Sequence, residues 1–194
     1  MTNASGKAGP FTIWFTGISG SGKSTLANKV CENLTSRGLR VEILDGDLVR
    51  PVLSQELGFN KEERCIHLRR VAYVCNLLTK NGVIAISATI SPYEDIRNEL
   101  RGMTNAYVEV FIKCSIERAK KRDVKGLYEK ACNGEIKLFT GITDKYETPT
   151  NAEITVNSEI ESIDQSTRNI IIGLNDLGYL EEETSEEYEQ IKRI

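Results

Sequence analysis

The stretch TGISGSGKST, residues 16–25, places three glycines and a lysine among hydroxyls directly behind the apolar run FTIWF. The spacing Gly17-x4-Gly22-Lys23-Ser24 is that of a loop that wraps phosphates. Glycines let backbone N–H groups converge on anionic oxygens without side-chain interference, and the helix that follows adds its partial positive charge. Gly17, Ser19, Gly20, Ser21, Gly22, Lys23, Ser24 and Thr25 are therefore candidate nucleotide-binding residues. Lys23 is expected to reach the β- and γ-phosphates, and the Ser24 hydroxyl to ligate Mg2+. A second pair of chemical groups lies in ILDGDLVR, where Asp45 and Asp47 flank a glycine at the end of a strand-like run. One carboxylate can orient Mg2+ or its waters, while the other accepts the proton of an attacking hydroxyl. Asp47 as a mere helix cap is the plainer alternative, but capping does not call for two acids.

The loop specifies a nucleoside triphosphate and leaves the reaction open among a small-molecule kinase, a GTPase switch and an ATPase motor. A GTPase would carry a guanine-selecting N-K-x-D, which does not occur, and a motor is normally larger. A kinase needs a cover that excludes water from the phosphoryl group. Residues 120–150 supply a candidate, a polar, glycine-punctuated stretch too long for a plain connection yet holding Leu127, Tyr128, Ile136, Phe139 and Tyr146.

The elements that must position these groups are visible as periodicities. Residues 11–16, 41–45, 83–89, 106–114 and 153–156 are short, β-rich and mostly apolar, the pattern of strands covered on both faces. Between them, Leu26, Val30 and Leu34 mark a helix after the glycine loop, and residues 61–80 and 162–180 carry two more helical patterns. This alternation predicts an α/β fold with a parallel sheet of about five strands, helices on both faces and a lid segment. Residues 11–180 read as one domain, preceded by a flexible leader (1–10) and followed by an acidic tail (181–194).

Composition narrows the partners. A net charge of −3 on 194 residues gives no support for nucleic acid or a membrane surface, and no apolar run approaches the roughly 20 residues that span a bilayer. Five cysteines without a C-x-x-C pair, beside a single histidine, make a poor metal site and fit reduced thiols in a cytoplasmic protein. A Ser-His-Asp hydrolase would have to use His67, and nothing near it resembles a nucleophile elbow.

The segments GISGSGKST, DGDLVR, LGFNKEER…LRR, ISPY, RDVKGLYEKACNGEIKLFTGI and YETP occur in the order found in adenylylsulfate kinases, and the chain resembles that family over about residues 11–180. The resemblance implies a P-loop nucleoside-kinase-like fold that transfers the γ-phosphoryl of ATP, with Mg2+, to the ribose 3′-hydroxyl of adenosine 5′-phosphosulfate. It implies that Phe59 and Phe139 sandwich the acceptor's adenine, and that Arg50, Arg64 and Arg69 neutralise its phosphosulfate. It also places Arg122 beside the ATP base, Lys137 on the lid near the substrates, and Ile90 and Ser91 along the acceptor. Ser91 resembles the serine named in the family as a phosphoserine intermediate, but Ser91-Pro92-Tyr93-Glu94 reads better as a capping box with Pro at the first helical position. The chain departs from the family at His67, where an Asn that binds the acceptor nucleotide is usual; an imidazole is bulkier and can charge near pH 6.5. A kinase acting on the 3′-hydroxyl of another nucleotide, such as cytidine diphosphoramidate, remains an alternative, as does a non-catalytic nucleotide-binding module. The family's common homodimer is the expected assembly.

Overall fold

The computed structural model describes residues 9–123 and 125–180; most of the expected leader and all of the acidic tail lie outside the described residues. Strands β1 (Thr12–Thr16), β2 (Val41–Asp45), β3 (Ile84–Ala88), β4 (Tyr107–Lys113) and β5 (Ile154–Asn157) form one parallel sheet in the order β2-β3-β1-β4-β5. The helices are α1 (Lys23–Ser36), α2 (Gly46–Leu53), α3 (Lys61–Lys80), α4 (Glu94–Met103), α5 (Ile116–Arg122), α6 (Leu127–Cys132) and α7 (Ile163–Asp176).

Side-chain alternation along β1 decides the layering. Ile13 and Phe15 point into a core closed by Leu26, Val30 and Leu34 of α1 and by Ile170 and Leu174 of α7. Trp14 points the other way, into a core built with Leu68, Val71 and Cys75 of α3 and Ile96 and Leu100 of α4. Central strands β1 and β3 are buried along their whole length, whereas edge strand β2 buries only Leu44. All strands being parallel, their carboxyl ends share one edge, and the loops leaving β1, β2 and β3 open together there.

Residues 120–150 hold more regular structure than their polarity suggests. The helix α5 begins before the stretch, at Ile116, under a cap in which Ser115 Oγ accepts from Arg118 N. The helix α6 follows Gly126, whose φ of 63° reverses the chain. Both are too short to show a helical period in the sequence. Tyr128, Ala131 and Phe139 pack with Ile18 and Ala119 as a third, smaller core.

The capping box expected at Ser91 is not formed. Helix α4 starts at Glu94, with Tyr93 as its N-cap and no side-chain cap bond from that residue. Ser91 is buried at φ 47°, and its Oγ instead accepts from Trp14 Nε1 at 2.8 Å and lies 2.9 Å from Thr89 Oγ1. The helix start is served from afar, by Glu147 Oε2 accepting from Glu94 N at 2.7 Å.

Candidate functional site

A cleft of about 660 Å³ opens over the carboxyl edge of the sheet, lined by the glycine loop, Asp47, Arg50, Phe59, Arg64, His67, Ile90, Ser91, Arg122 and Lys125 among others. The loop geometry depends on its glycines. Gly17 has φ 153°, and a Cβ there would lie 2.8 Å from the Ile112 carbonyl oxygen and from Ser21 Oγ. Gly22, at φ 103°, caps α1 from the left-handed region. The start of α1 therefore presents free N–H groups to the cleft. Ser19, Gly20, Ser21, Ser24 and Thr25 all line it, with Ser24 and Thr25 exposed; Gly17 is buried beneath.

Lys23 is buried, and its Nζ donates to the carbonyls of Gly17 at 2.9 Å and Ile18 at 2.8 Å. Burial lowers its pKa to about 8, against the opposing pull of Asp47 and Asp45. The two acids are not equivalent. Asp45 Oδ1 accepts from Asp47 N at 2.9 Å and is the N-cap of α2, so the capping role belongs to Asp45 and not to Asp47. Asp47 is left with an exposed carboxylate that pairs with Lys125.

At the other end of the cleft Phe59 is half exposed, with the guanidinium carbons of Arg50 and Arg64 4.4 and 5.5 Å from its ring centroid. Both arginines are also tied to backbone, Arg50 to Gly58 O and Arg64 to Phe59 O and Leu138 O. Burial is the main force lowering the pKa of each; Arg64 adds to the lowering at Arg50, whereas Tyr93 and Asp144 oppose it at Arg64. Arg122 stitches the glycine loop to the β5–α7 connection, donating to Gly20 O, Ser21 O and Ser158 O.

Three of the expected acceptor-side and lid residues stand apart from this group. Arg69 makes two hydrogen bonds to Glu99 of α4, at 2.6 and 2.9 Å, on the outer face of α3. Five residues along a helix turn it about 140° away from Arg64, whereas His67 comes back to within about 60°. Phe139 is buried edge-on against Tyr128, ring centroids 4.9 Å apart, and does not line the cleft. Lys137 is exposed and also lies outside the lining.

His67 does not behave as a free imidazole. Its Nδ1 lies 2.9 Å from Ser54 Oγ, and burial, reinforced by Arg50 and Arg70, lowers its pKa to about 4. The expectation that it charges near pH 6.5 is thereby corrected: desolvation beside two guanidiniums keeps it neutral. An unfolded imidazole still takes a proton near its usual value, so between about pH 6.5 and 4 the unfolded chain binds more protons and stability falls as pH drops. His67→Asn is expected to flatten that slope. Urea midpoints of the two proteins at about pH 7 and about pH 5 test it, and parallel shifts would refute it.

Lys125, Asp123 and Tyr128 line the same cleft and had no role assigned from sequence. The basic residue next to Gly126 was a signal the sequence offered for Lys125, whereas the hydroxyl of Tyr128 donates to Ser19 O across 109 residues, a contact that no local pattern shows. Arg97 was also missed. It is 2% exposed, and donates at 2.8 Å to both Ser91 O and Glu147 O. A mid-helix arginine carries no mark in the sequence that it is buried.

The donor set fits an ion delivered by a nucleotide. Ser24 Oγ and the Asp47 carboxylate are hard oxygen donors at the cleft, whereas Asp45 lies outside its lining with Oδ1 bound to Asp47 N, and among the described residues no cluster of three acidic, His or Cys ligands exists to cage a metal alone. Mg2+ is characteristically held this way, through phosphates, waters and one or two protein oxygens.

A family model described as adenylylsulphate kinase matches residues 9–157. The chain is 47% identical over 169 residues to the adenylyl-sulfate kinase of Picosynechococcus sp., covering 87% of this chain and 96% of that protein. It superposes with a TM-score of 0.82 on the APS kinase of Mycobacterium tuberculosis, solved in complex with AMPPNP and APS, at 37% identity, covering 87% of this chain and 99% of that one. A hexameric APS kinase from Thiobacillus denitrificans gives a TM-score of 0.69 at 34% identity, covering 90% of this chain and 30% of that one.

Proposed function

The chain belongs to the adenylylsulphate kinase family, and from that premise we infer that it transfers the γ-phosphoryl group of ATP to the ribose 3′-hydroxyl of adenosine 5′-phosphosulfate. The observation that carries the reading is one cleft with two unlike ends. A glycine loop with Lys23 lies at one end, an aromatic–arginine cluster at the other, and Asp47 faces the same space.

Each group has a task that its setting supports. The loop N–H groups and Lys23 hold the triphosphate, with Lys23 exchanging the carbonyls of Gly17 and Ile18 for phosphate oxygens. Arg122 fixes the loop beside the ATP base. Phe59 offers a face to the acceptor base, a stack worth about 1–3 kcal/mol, while Arg50 and Arg64 meet its anionic groups. Ile90 and Ser91 form the wall between them. Asp47, the one of the two acids not spent on a cap, accepts the proton of the attacking hydroxyl. Ser24 and Asp47 would hold Mg2+, which when bound neutralises charge on the phosphates. Transfer is direct: Ser91 Oγ is committed to Trp14 and Thr89 and is poorly placed to carry a phosphoryl group.

We assign the lid to residues 120–150. Its small core around Phe139 is shared with Ile18 of the glycine loop and Ala119 of α5, and closure would release Phe139 from it and bring Phe139 and Lys137 toward the acceptor. Arg69 is left out of the binding group, because Glu99 already satisfies it. The working form is a homodimer in a reducing cytoplasm, a setting that suits five free cysteines; sedimentation distinguishes it from the hexamer described for the Thiobacillus relative. Among the described residues no helix is long and apolar enough to cross a membrane.

The deciding experiment is an acceptor panel with γ-labelled ATP. Label is expected on adenosine 5′-phosphosulfate, at the 3′-position, with cytidine nucleotides far slower. Equal transfer to a cytidine acceptor, or ATP consumption indifferent to any acceptor, would overturn the reading.

A further inference from the structure

We propose that Ser54 is a positioning residue of the acceptor subsite: its hydroxyl donates to Nδ1 of His67 and fixes the ring with its proton on Nε2, a hydrogen-bond donor facing the cleft. The inference rests on the reading of this end of the cleft as the acceptor's place.

Ser54 is held rigidly. It is 1% exposed and is the C-cap of α2, its N–H donating to Arg50 O at 2.9 Å while its carbonyl accepts from Leu57 N at 3.1 Å. Its Oγ has one partner among the described residues, His67 Nδ1 at 2.9 Å. Two arrangements of the shared proton are possible. Were Nδ1–H to donate, the serine proton would be buried with no acceptor, an omission that costs more than a hydrogen bond returns. With the serine donating, the hydroxyl proton and the Nδ1 lone pair are both satisfied, and the ring proton must sit on Nε2.

The rest of the ring belongs to the cleft. His67 lines it, and Nε2 has no protein partner among the described residues. Arg50 of α2 and Arg70 of α3 oppose a second proton on the ring, so the donor is a neutral N–H and not an imidazolium. Arg70 is itself anchored to Leu53 O at 2.7 Å, next to Ser54, which keeps that charge in place. The subsite therefore favours a nucleotide that presents a hydrogen-bond acceptor to His67, such as a carbonyl, a phosphoryl oxygen or a ring nitrogen. An amino group there would meet N–H with N–H. An Asn at this position offers both donor and acceptor; this histidine, fixed by Ser54, offers only the donor.

The chain has one histidine, so its tautomer can be read directly. Long-range proton–nitrogen spectra of the untagged protein, labelled with 15N-histidine and free of nucleotide, are expected to show a bare Nδ1 and a protonated Nε2. In Ser54→Ala the two nitrogens move toward averaging, and the acceptor KM rises about three- to tenfold while the KM for ATP stays within about twofold. Ser54→Thr, which keeps the hydroxyl, restores both. A wild-type ring protonated on Nδ1, or already averaged, overturns the proposal, as does Ser54→Ala with an unchanged spectrum and acceptor KM. If Ser54→Ala fails to fold, the wild-type and Ser54→Thr spectra still decide. A protein with the Nε2–H ring that does not phosphorylate adenosine 5′-phosphosulfate would overturn the assigned reaction and leave the Ser54–His67 geometry standing, so the two failures are distinguishable.

Discussion

Asp47→Asn is expected to lower kcat by about 10²–10⁴-fold, the usual contribution of a positioned general base, while affinity for an ATP analogue falls less than about tenfold. The expectation follows from the division of labour between two carboxylates separated by one glycine. Asp45 caps α2 through its bond to Asp47 N, which fixes the backbone that carries Asp47. Asparagine keeps the size of Asp47 and its amide oxygen can still accept a hydrogen bond from the Lys125 ammonium, but it cannot take a proton. Asp45→Ala should differ in kind. It removes a cap, costs about 1 kcal/mol of stability and perturbs turnover only as the helix start loosens. Steady-state kinetics, calorimetry with the analogue and melting curves on both variants separate the two roles. Undiminished turnover in Asp47→Asn would remove Asp47 from the chemistry.

That asymmetry between the acids also marks where reading the sequence stops. The strands, the 61–80 helix and the glycine loop were legible because each depends on a local pattern: apolar runs, a helical period, and a fixed spacing of Gly17, Gly22, Lys23 and Ser24. Which of Asp45 and Asp47 caps the helix was not, since the difference is one of backbone direction within two residues. Ser91 is a clearer case. Its local string has the right residues for a cap, and the cap fails because Trp14 and Thr89, brought in by two neighbouring strands, compete for the hydroxyl, while Glu147, 53 residues away, serves the helix start. Arg69 could have been separated from Arg64 by counting helical angles alone. The charge state of His67 could not, because it comes from burial and from Arg50 on a different helix. Local patterns thus located the phosphate end of the cleft, and long-range packing shapes the acceptor end.

The same long-range packing makes Arg97→Met the most damaging substitution expected outside the cleft. Arg97 and Glu109 form a nearly fully buried ion pair at 3.1 Å, and Arg101 approaches the same carboxylate at 3.0 Å. Methionine fills much of the space but leaves Glu109 with a single cation and leaves the Ser91 and Glu147 carbonyls without their donor. Breaking a buried pair from one side costs about 3–5 kcal/mol, and Arg101 moderates the loss without replacing the carbonyl bonds. For a domain of this size that corresponds to a fall in Tm of roughly 6–20 °C. Burial already raises the pKa of Glu109, and losing Arg97 raises it further. The folded variant then holds that proton at a pH where the unfolded chain has lost it, so its deficit against wild type should shrink as pH falls toward about 4.5. Arg97→Met with Glu109→Gln should recover part of the stability by removing the stranded charge. It should not recover acceptor binding, because the left-handed backbone of Ser91, at φ 47°, still lacks the donor that holds its carbonyl at the cleft wall. Melting curves across pH and acceptor KM for the single and double variants test both parts. A single variant as stable as wild type would show that the buried pair carries no weight, and a double variant with normal acceptor KM would show that Arg97 acts on stability alone.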